Sequence, residues 1–336
     1  MNNKQQQVRV LTRRNALKIL GSAIALPSGI LALRKLASSP LPVQWQGEAL
    51  GAQANLTLWH PNPRFARRTI IRICSEVKRL EGIFSLYRND SEISRLNREG
   101  YLVVPSRELV EVLELSRQIA NTSGGAFDPT IQAIWNVYAE HFSSSHATHG
   151  TPDPKRLAKA CKLVNFAEMD VGSRGINFTR KGMLLSLNGI AQGYITDYIT
   201  DLLRNEGFDN AMVELGETRA LGVAPDGQPF IVNLINPIEP GFVNRSILLS
   251  NEALSVSGGY GTPFSAIGTH HIFDPITGNS ANRLLDAAVI APSAMIADAL
   301  STAIYVAGEQ VASKLLSVYP SSYAVVTQLD GAILKI

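Results

Sequence analysis

Apolar side chains recur at helical spacing through Ile70, Ile73, Cys74, Val77, Leu80 and Phe84, which predicts a helix over residues 65–84. A second stripe, Leu109, Leu113 and Ile119, begins after a capping serine, Ser106, and stops at Gly124-Gly125, so a helix is expected between them. The same spacing predicts helices at 130–141, 190–205, 294–306 and 309–318. Alternating positions predict an opening strand at 48–59, a hairpin of 169–171 with 175–178 around Gly172-Ser173, and a strand at 184–187 feeding the 190–205 helix. Short strands separated by Pro, Gly and Asn fill residues 210–290, and strands at 323–328 and 333–336 end the chain. The order lacks the regular strand–helix–strand rhythm of a parallel sheet, and no internal repeat or linker interrupts it. An α+β fold is expected: one domain, residues 41–336, of mixed, largely antiparallel strands with packed helices.

Composition changes little in that picture. The 336 residues, 45% hydrophobic and 18% charged, exclude a disordered, collagen-like or disulfide-scaffold chain. Charge distribution matters more than the net +3. Residues 1–40 carry seven Lys and Arg and no acid, so removing those seven leaves −4 for residues 41–336. A mildly acidic body makes nucleic acid an unexpected partner.

The basic start has a pattern of its own. Arg13-Arg14 precedes a weakly apolar stretch, Ile19 to Leu33, of 15 residues. That is shorter than the roughly 20 residues a bilayer-crossing helix needs. Paired arginines before such a segment match a twin-arginine export signal, with a basic amphipathic terminus as the alternative. Residues 1–40 are therefore expected to direct a folded protein through the twin-arginine machinery to the periplasm. No clean Ala-x-Ala cleavage site follows, which leaves open retention at the inner membrane by an uncleaved signal.

Cys74 and Cys161 both fall on apolar stripes and read as small core residues rather than a disulfide or a nucleophile. Three histidines, His141, His146 and His149, lie in or beside a polar loop over 143–154 and read as solvated rather than metal-binding.

Common catalytic signatures are absent: there is no G-x-S-x-G, no Walker loop and no H-E-x-x-H. Polar and glycine residues instead gather in clusters at element edges, around 124–130, 186–194, 257–260, 271–278 and 297–302. In the last, Asp298 and Thr302 are four apart on one helix face, and their oxygens are hard ligands suited to Mg²⁺. Spacing alone fits a carboxylate on the helix dipole and a core threonine at least as well. Gly189 and Gly193 flank Gln192 where backbone groups can cradle a phosphate or simply turn the chain.

In order, these clusters resemble the FAD:protein FMN transferase (ApbE) family across nearly the whole body of the chain. Leu50-Gly51-Ala52 stands where that family has Met-Gly-Thr, and Phe84 to Asn97 is similar to its F-S-x-Y…D-S-E-I-x-x-L-N segment. Thr122 to Thr130 resembles T-x-G-A-F-D-P-T, and Leu187 to Asp197 resembles L-G-G-I-A-K-G-Y-x-x-D. His271 to Gly278 matches H-I-x-D-P-x-T-G, and Ala297 to Thr302 matches A-D-A-L-x-T. The resemblance implies Mg²⁺-dependent transfer of FMN from FAD to a Thr or Ser hydroxyl of a partner flavoprotein bearing a target motif, with release of AMP. It further implies that Asp298, Thr302 and the Gly189 carbonyl hold Mg²⁺. Leu50, Tyr87, Ala126, Phe127, Asp128, Ser186 and Gln192 would contact FAD. His271 would lie beside flavin or phosphate, as a proton carrier or as a shaper of the pocket.

The chain departs from the family pattern at three positions. Ser186 stands where Asp is usual, Gln192 where Lys or Glu is usual, and Glu217 at a glycine position. Loss of one charged FAD contact weakens binding by about 1.5–3 kcal/mol. Were position 217 to require φ > 0, Glu217 would carry backbone strain of about 1 kcal/mol. Alternative expectations are a periplasmic flavin-binding maturation protein for a respiratory metalloenzyme, or an FAD pyrophosphatase.

Overall fold

The computed structural model describes residues 41–143, 151–239, 241–264 and 268–336. The twin-arginine segment, His146 and His149 lie outside the described residues.

The expected opening strand is two strands. β1 (Val43–Ala49) and β2 (Ala52–Trp59) pair antiparallel, closed by Leu50-Gly51 with φ of +47° and +76°. Two successive left-handed residues make the tight primed turn that suits hairpin twist. Leu50 falls in phase with Ala52, Ala54, Leu56 and Leu58, so the pattern from residue 50 onward reads as one strand and hides the turn. Helix α1 (Pro63–Phe84) follows, with Asn62 Oδ1 accepting from the Arg64 and Phe65 amides.

Next come α2 (Glu92–Glu99), β3 (Tyr101–Val103) and α3 (Arg107–Thr122), the last capped by Ser106 as expected. The short α2 and β3 lie below the length at which periodicity is readable. α4 (Gln132–Ser143) and α5 (Pro154–Cys161) are succeeded by the expected hairpin, β4 (Met169–Gly172) and β5 (Gly175–Phe178).

The strand expected at 184–187 does not form. Only a single bridge joins Leu184 to Ile131. The backbone of Leu185 is satisfied by a side chain instead: its N–H donates to Asn97 Oδ1 at 2.7 Å and its carbonyl accepts from Asn97 Nδ2 at 2.8 Å. Ser186 N–H donates to Pro129 O at 2.7 Å. A proline has no N–H to return, so the pairing cannot propagate into a ladder.

The remaining elements are α6 (Ala191–Asn205), β6 (Asn210–Glu214), β7 (Thr218–Leu221), β8 (Phe230–Ile235), β9 (Val243–Leu249), β10 (Ala253–Gly258) and β11 (Asp286–Ala291). α7 (Ala294–Ala307), α8 (Glu309–Val318), β12 (Tyr323–Thr327) and β13 (Ile333–Lys335) complete the chain. The central sheet is antiparallel throughout, in the order β1-β2-β6-β7-β10-β11-β12-β13. Both its faces are covered. Along β11, Ala287, Val289 and Ala291 enter the core shared with the helices, while Ala288 and Ile290 enter a second core under the β8–β9 hairpin. The period of two thus points alternate residues into different cores.

Cys74 and Cys161 are free, half-buried, and packed against different clusters.

The helix layer turns on one crossing. α6 and α7 meet near their N-termini, so closely that a Cβ on Gly193 would lie 2.3 Å from Ala294 O. Each helix supplies a carboxylate to the other. Gly193 N–H donates to Asp298 Oδ2 at 3.1 Å, and the amides of Ala294 and Met295 donate to Asp197 at 2.7 and 3.0 Å. Asp197 also accepts from Ser293 Oγ at 2.6 Å and pairs with Arg219. No side chain caps α6 from its own N-cap position, Ile190. Free amides at a helix start need partners, and a carboxylate there also meets the dipole.

In a loosely packed helix, Gly→Ala stabilises by about 1 kcal/mol. At Gly193 the added methyl meets backbone, and overpacking should instead destabilise by about 3 kcal/mol. Thermal unfolding of Gly193→Ala checks the sign: a melting temperature several degrees below wild type is expected, and a rise would refute the contact.

Candidate active site

A cleft of about 380 Å³ opens where the α6–α7 crossing meets the turn of the β1–β2 hairpin and the segments at 126–131, 216–217, 258–262 and 271–275. Its wall includes Ala126, Phe127, Asp128, Ser186, Gly189, Gln192, His271, Asp298 and Thr302. The structure therefore brings together nine of the eleven residues singled out from the sequence. The other two sit at its margin. Leu50 holds the hairpin turn, its N–H donating to Glu81 Oε1 at 2.9 Å, and its side chain packs on the main core. Tyr87 is 64% exposed and rests against Gly51, which does line the cleft.

The floor is built by α6 and α7. Asp298, 3% exposed, and Thr302 face the cleft from α7. Gly189 approaches from the turn before α6, so closely that a Cβ there would stand 2.9 Å from Thr302 Oγ1 and 3.5 Å from the Phe127 ring. One carboxylate, one hydroxyl and a turn of backbone with no side chain are hard oxygen donors in a space kept clear. That donor chemistry fits a small divalent cation. Among the described residues no three His, Cys, Asp or Glu side chains gather as a metal site, so a cation here would depend on this mixed set.

Behind the floor lies a group of hydroxyls that sequence reasoning did not single out. Ser257 Oγ is 3.3 Å from Thr302 Oγ1 and 2.8 Å from Ser301 Oγ. Ser301, fully buried, is also 3.0 Å from Ser255 Oγ. Two signals were available: the i, i+2 serines of β10 on one strand face, and Ser301 three residues after Asp298.

Asp128 performs local work. Oδ1 accepts from Thr130 N–H at 2.8 Å and Thr130 Oγ1 at 2.5 Å, and Oδ2 accepts from Phe166 N–H at 2.9 Å. Burial pushes its carboxyl pKa up, against these hydrogen bonds, which favour the ionised form. The carboxylate thereby shapes the loop that presents Ala126 and Phe127. Gln192, 7% exposed, packs on Gly216, where a Cβ would stand 2.4 Å from its Nε2.

The strain considered for Glu217 is not there. The left-handed residue of that turn is Gly216, at φ +99°, and Glu217 is not among the positive-φ residues. The chain keeps glycine where the backbone requires it, and Glu217 adds a carboxylate to the cleft wall.

The adjacent histidines divide into two roles. His270 is 6% exposed, with Nε2 2.8 Å from Ala281 O, while its Nδ1 accepts from Ile272 N–H at 3.3 Å. A carbonyl only accepts, so this network assigns the proton to Nε2. Burial lowers its pKa, consistent with a neutral ring that anchors the loop. His271 lines the cleft. Tyr260 is among the cleft-lining residues, and burial of its hydroxyl with Asp286 nearby raises its pKa.

The charge of the wall is one-sided. Glu48, Asp128, Glu217 and Asp298 are among the lining residues, and no Lys or Arg is.

This antiparallel sheet, helix crossing and cleft define a known class. The ApbE family model matches residues 50–326, and the chain belongs to that family. The FAD:protein FMN transferase of Treponema pallidum (strain Nichols) is 32% identical over 266 residues, 71% of each chain. The enzyme of the same name from Vibrio cholerae serotype O1 is 28% identical over 235 residues, 67% of this chain and 69% of the relative. Among solved structures, the ApbE protein of Thermotoga maritima has a TM-score of 0.78 at 25% identity, covering 88% of this chain and 96% of its own. Flavin transferase ApbE from Vibrio cholerae has 0.73 at 23%, covering 88% and 97%, a likeness of fold.

Proposed function

We propose that this protein is an FAD:protein FMN transferase that uses Mg²⁺ and modifies a Thr or Ser hydroxyl of a flavoprotein acceptor. The observation that carries the reading is the cleft wall itself, which has four acidic residues and no Lys or Arg, in a family whose relatives bear a name that implies FAD as donor. The FAD pyrophosphate is anionic, and a lining with four acidic residues and no basic one favours it more when a cation is bound. Asp298, Thr302 and the Gly189 carbonyl are the groups that would hold that cation. When bound, Mg²⁺ supplies neutralisation of charge on the pyrophosphate and the departing AMP.

The chain's own residues do the rest. Phe127 and Ala126, ordered by Asp128, offer an apolar wall for a planar ring, and Ser186 and Gln192 offer neutral hydrogen bonds along the substrate. The new bond joins the acceptor oxygen to the FMN phosphorus, and the bond from that phosphorus to the AMP oxygen breaks. The acceptor's hydroxyl proton must leave, and His271, a residue of the cleft wall, would take it. Ser186 and Gln192 are neutral where charged residues are usual, which bears on affinity rather than on the displacement.

Incubation of the protein with FAD, Mg²⁺ and a candidate acceptor should add one FMN to the acceptor by mass, and the flavin should stay with the acceptor through denaturing electrophoresis. Asp298→Ala should lower the rate at limiting Mg²⁺ at least tenfold, the scale at which a lost charged contact registers. FMN and AMP released without a modified acceptor would replace transfer with pyrophosphate hydrolysis. Flavin bound covalently to this chain would recast it as an acceptor.

We also propose that Arg13-Arg14 direct export of the folded protein to the periplasm, with acceptors facing that compartment. Replacing both arginines by Lys should leave precursor in the cytoplasm. Periplasmic delivery at the wild-type level would refute the route.

A further inference from the structure

From the cleft wall inward, four hydroxyls, those of Thr302, Ser257, Ser301 and Ser255, are linked in a chain that branches at Ser301 and whose direction is fixed by counting protons. A serine or threonine hydroxyl has one proton to give and two lone pairs to accept with. Ser301 Oγ lies 2.9 Å from the carbonyl oxygen of Asp298, and a carbonyl cannot donate, so Ser301 gives its proton there. Its two lone pairs then face Ser255 Oγ at 3.0 Å and Ser257 Oγ at 2.8 Å, and both of these must donate to it. With its own proton given to Ser301, Ser257 can only accept from Thr302 Oγ1, 3.3 Å away. Ser301 is fully buried and Ser257 is 8% exposed, so bulk water does not compete freely for these groups. The order of donation is Thr302 to Ser257 to Ser301 to the Asp298 carbonyl.

The consequence falls on Thr302. Its hydroxyl proton is drawn away from the cleft, and its lone pairs are left on the side where Gly189 approaches. We infer that Ser257 and Ser301 are positioning residues, a one-way hydroxyl chain that presents Thr302 Oγ1 to a divalent cation as a pure lone-pair donor. The inference rests on the reading that Asp298, Thr302 and Gly189 hold Mg²⁺. A neutral hydroxyl binds a cation only through oxygen, and a proton turned into the site opposes it. Hydrogen-bonded partners that orient a ligand atom in this way typically change metal affinity by about 10- to 100-fold when removed. The chain begins and ends on α7, because the carbonyl that terminates it belongs to Asp298, a residue of the same site. β10 contributes both outer serines through its period of two, so sheet and helix must be in register for the chain to close.

Isothermal titration of the full-length protein with Mg²⁺ alone, without FAD, tests this, with Mn²⁺ paramagnetic resonance as a second probe. Ser257→Ala should raise the Mg²⁺ dissociation constant about tenfold, and Ser257→Thr, which keeps the hydroxyl, should restore it. Ser301→Ala should weaken Mg²⁺ binding to a similar degree although Ser301 is not among the cleft-lining residues. A merely structural loss would lower the metal-free melting temperature and leave Mg²⁺ affinity unchanged. Wild-type affinity in Ser257→Ala and Ser301→Ala, with binding lost in Asp298→Ala, would overturn the hydroxyl chain and spare the metal site. Failure of wild type itself to bind Mg²⁺ at millimolar concentration would overturn both. If Ser301→Ala does not fold, the contrast between Ser257→Ala and Ser257→Thr decides.

Discussion

Two helix N-termini cross at Gly193, and the site depends on that crossing. Bringing two positive helix ends together is unfavourable unless negative charge is placed between them. Asp197 on α6 and Asp298 on α7 supply it reciprocally, each accepting from amides in the first turn of the other helix. Asp197 is held in turn by Arg219, whose guanidinium also donates to Pro292 O at 3.0 Å. Asp298 differs because it faces the cleft as well as the helix start. One carboxylate thus joins the packing of the helix layer to the chemistry of the cleft.

That arrangement also explains the composition of the wall. The positive ends of α6 and α7 are already neutralised by carboxylates, and no Lys or Arg replaces them on the cleft side. On the proposed reading an anionic donor needs a cation from solution, which Asp298, Thr302 and the Gly189 carbonyl, all of the cleft lining, would receive. Glu217, an added carboxylate at a position where the family carries glycine, deepens the same requirement. Ser186, where a carboxylate is usual, relieves it in part.

Much of this was readable from residues alone, and what was missed has physical reasons. Long helices with apolar stripes and capping residues, such as the one from Ser106 to Gly124, emerge at nearly their true bounds because caps mark where backbone amides need partners. The site clusters are legible as short motifs in order, and nine of the eleven residues converge on one cleft. The β1–β2 turn is hidden because Leu50 falls in phase with the apolar positions of β2. The segment at 184–187 looks like a strand because its apolar residues are buried, yet its backbone is paired to the Asn97 amide, a long-range partner no local pattern announces. Asp128 lines the cleft, and the sequence alone does not show that its oxygens also accept from Thr130 and Phe166 to order the loop. The serine chain is invisible because it joins β10 to α7 across more than forty residues.

The central claim is that this cleft binds its anionic donor more tightly with a cation at the helix crossing. Flavin fluorescence titration of the wild-type protein with FAD, in excess chelator and again in millimolar Mg²⁺, tests it most directly. The account predicts that Mg²⁺ tightens FAD binding at least tenfold, a difference of about 1.4 kcal/mol. Equal affinity for FAD in chelator and in Mg²⁺ would contradict it.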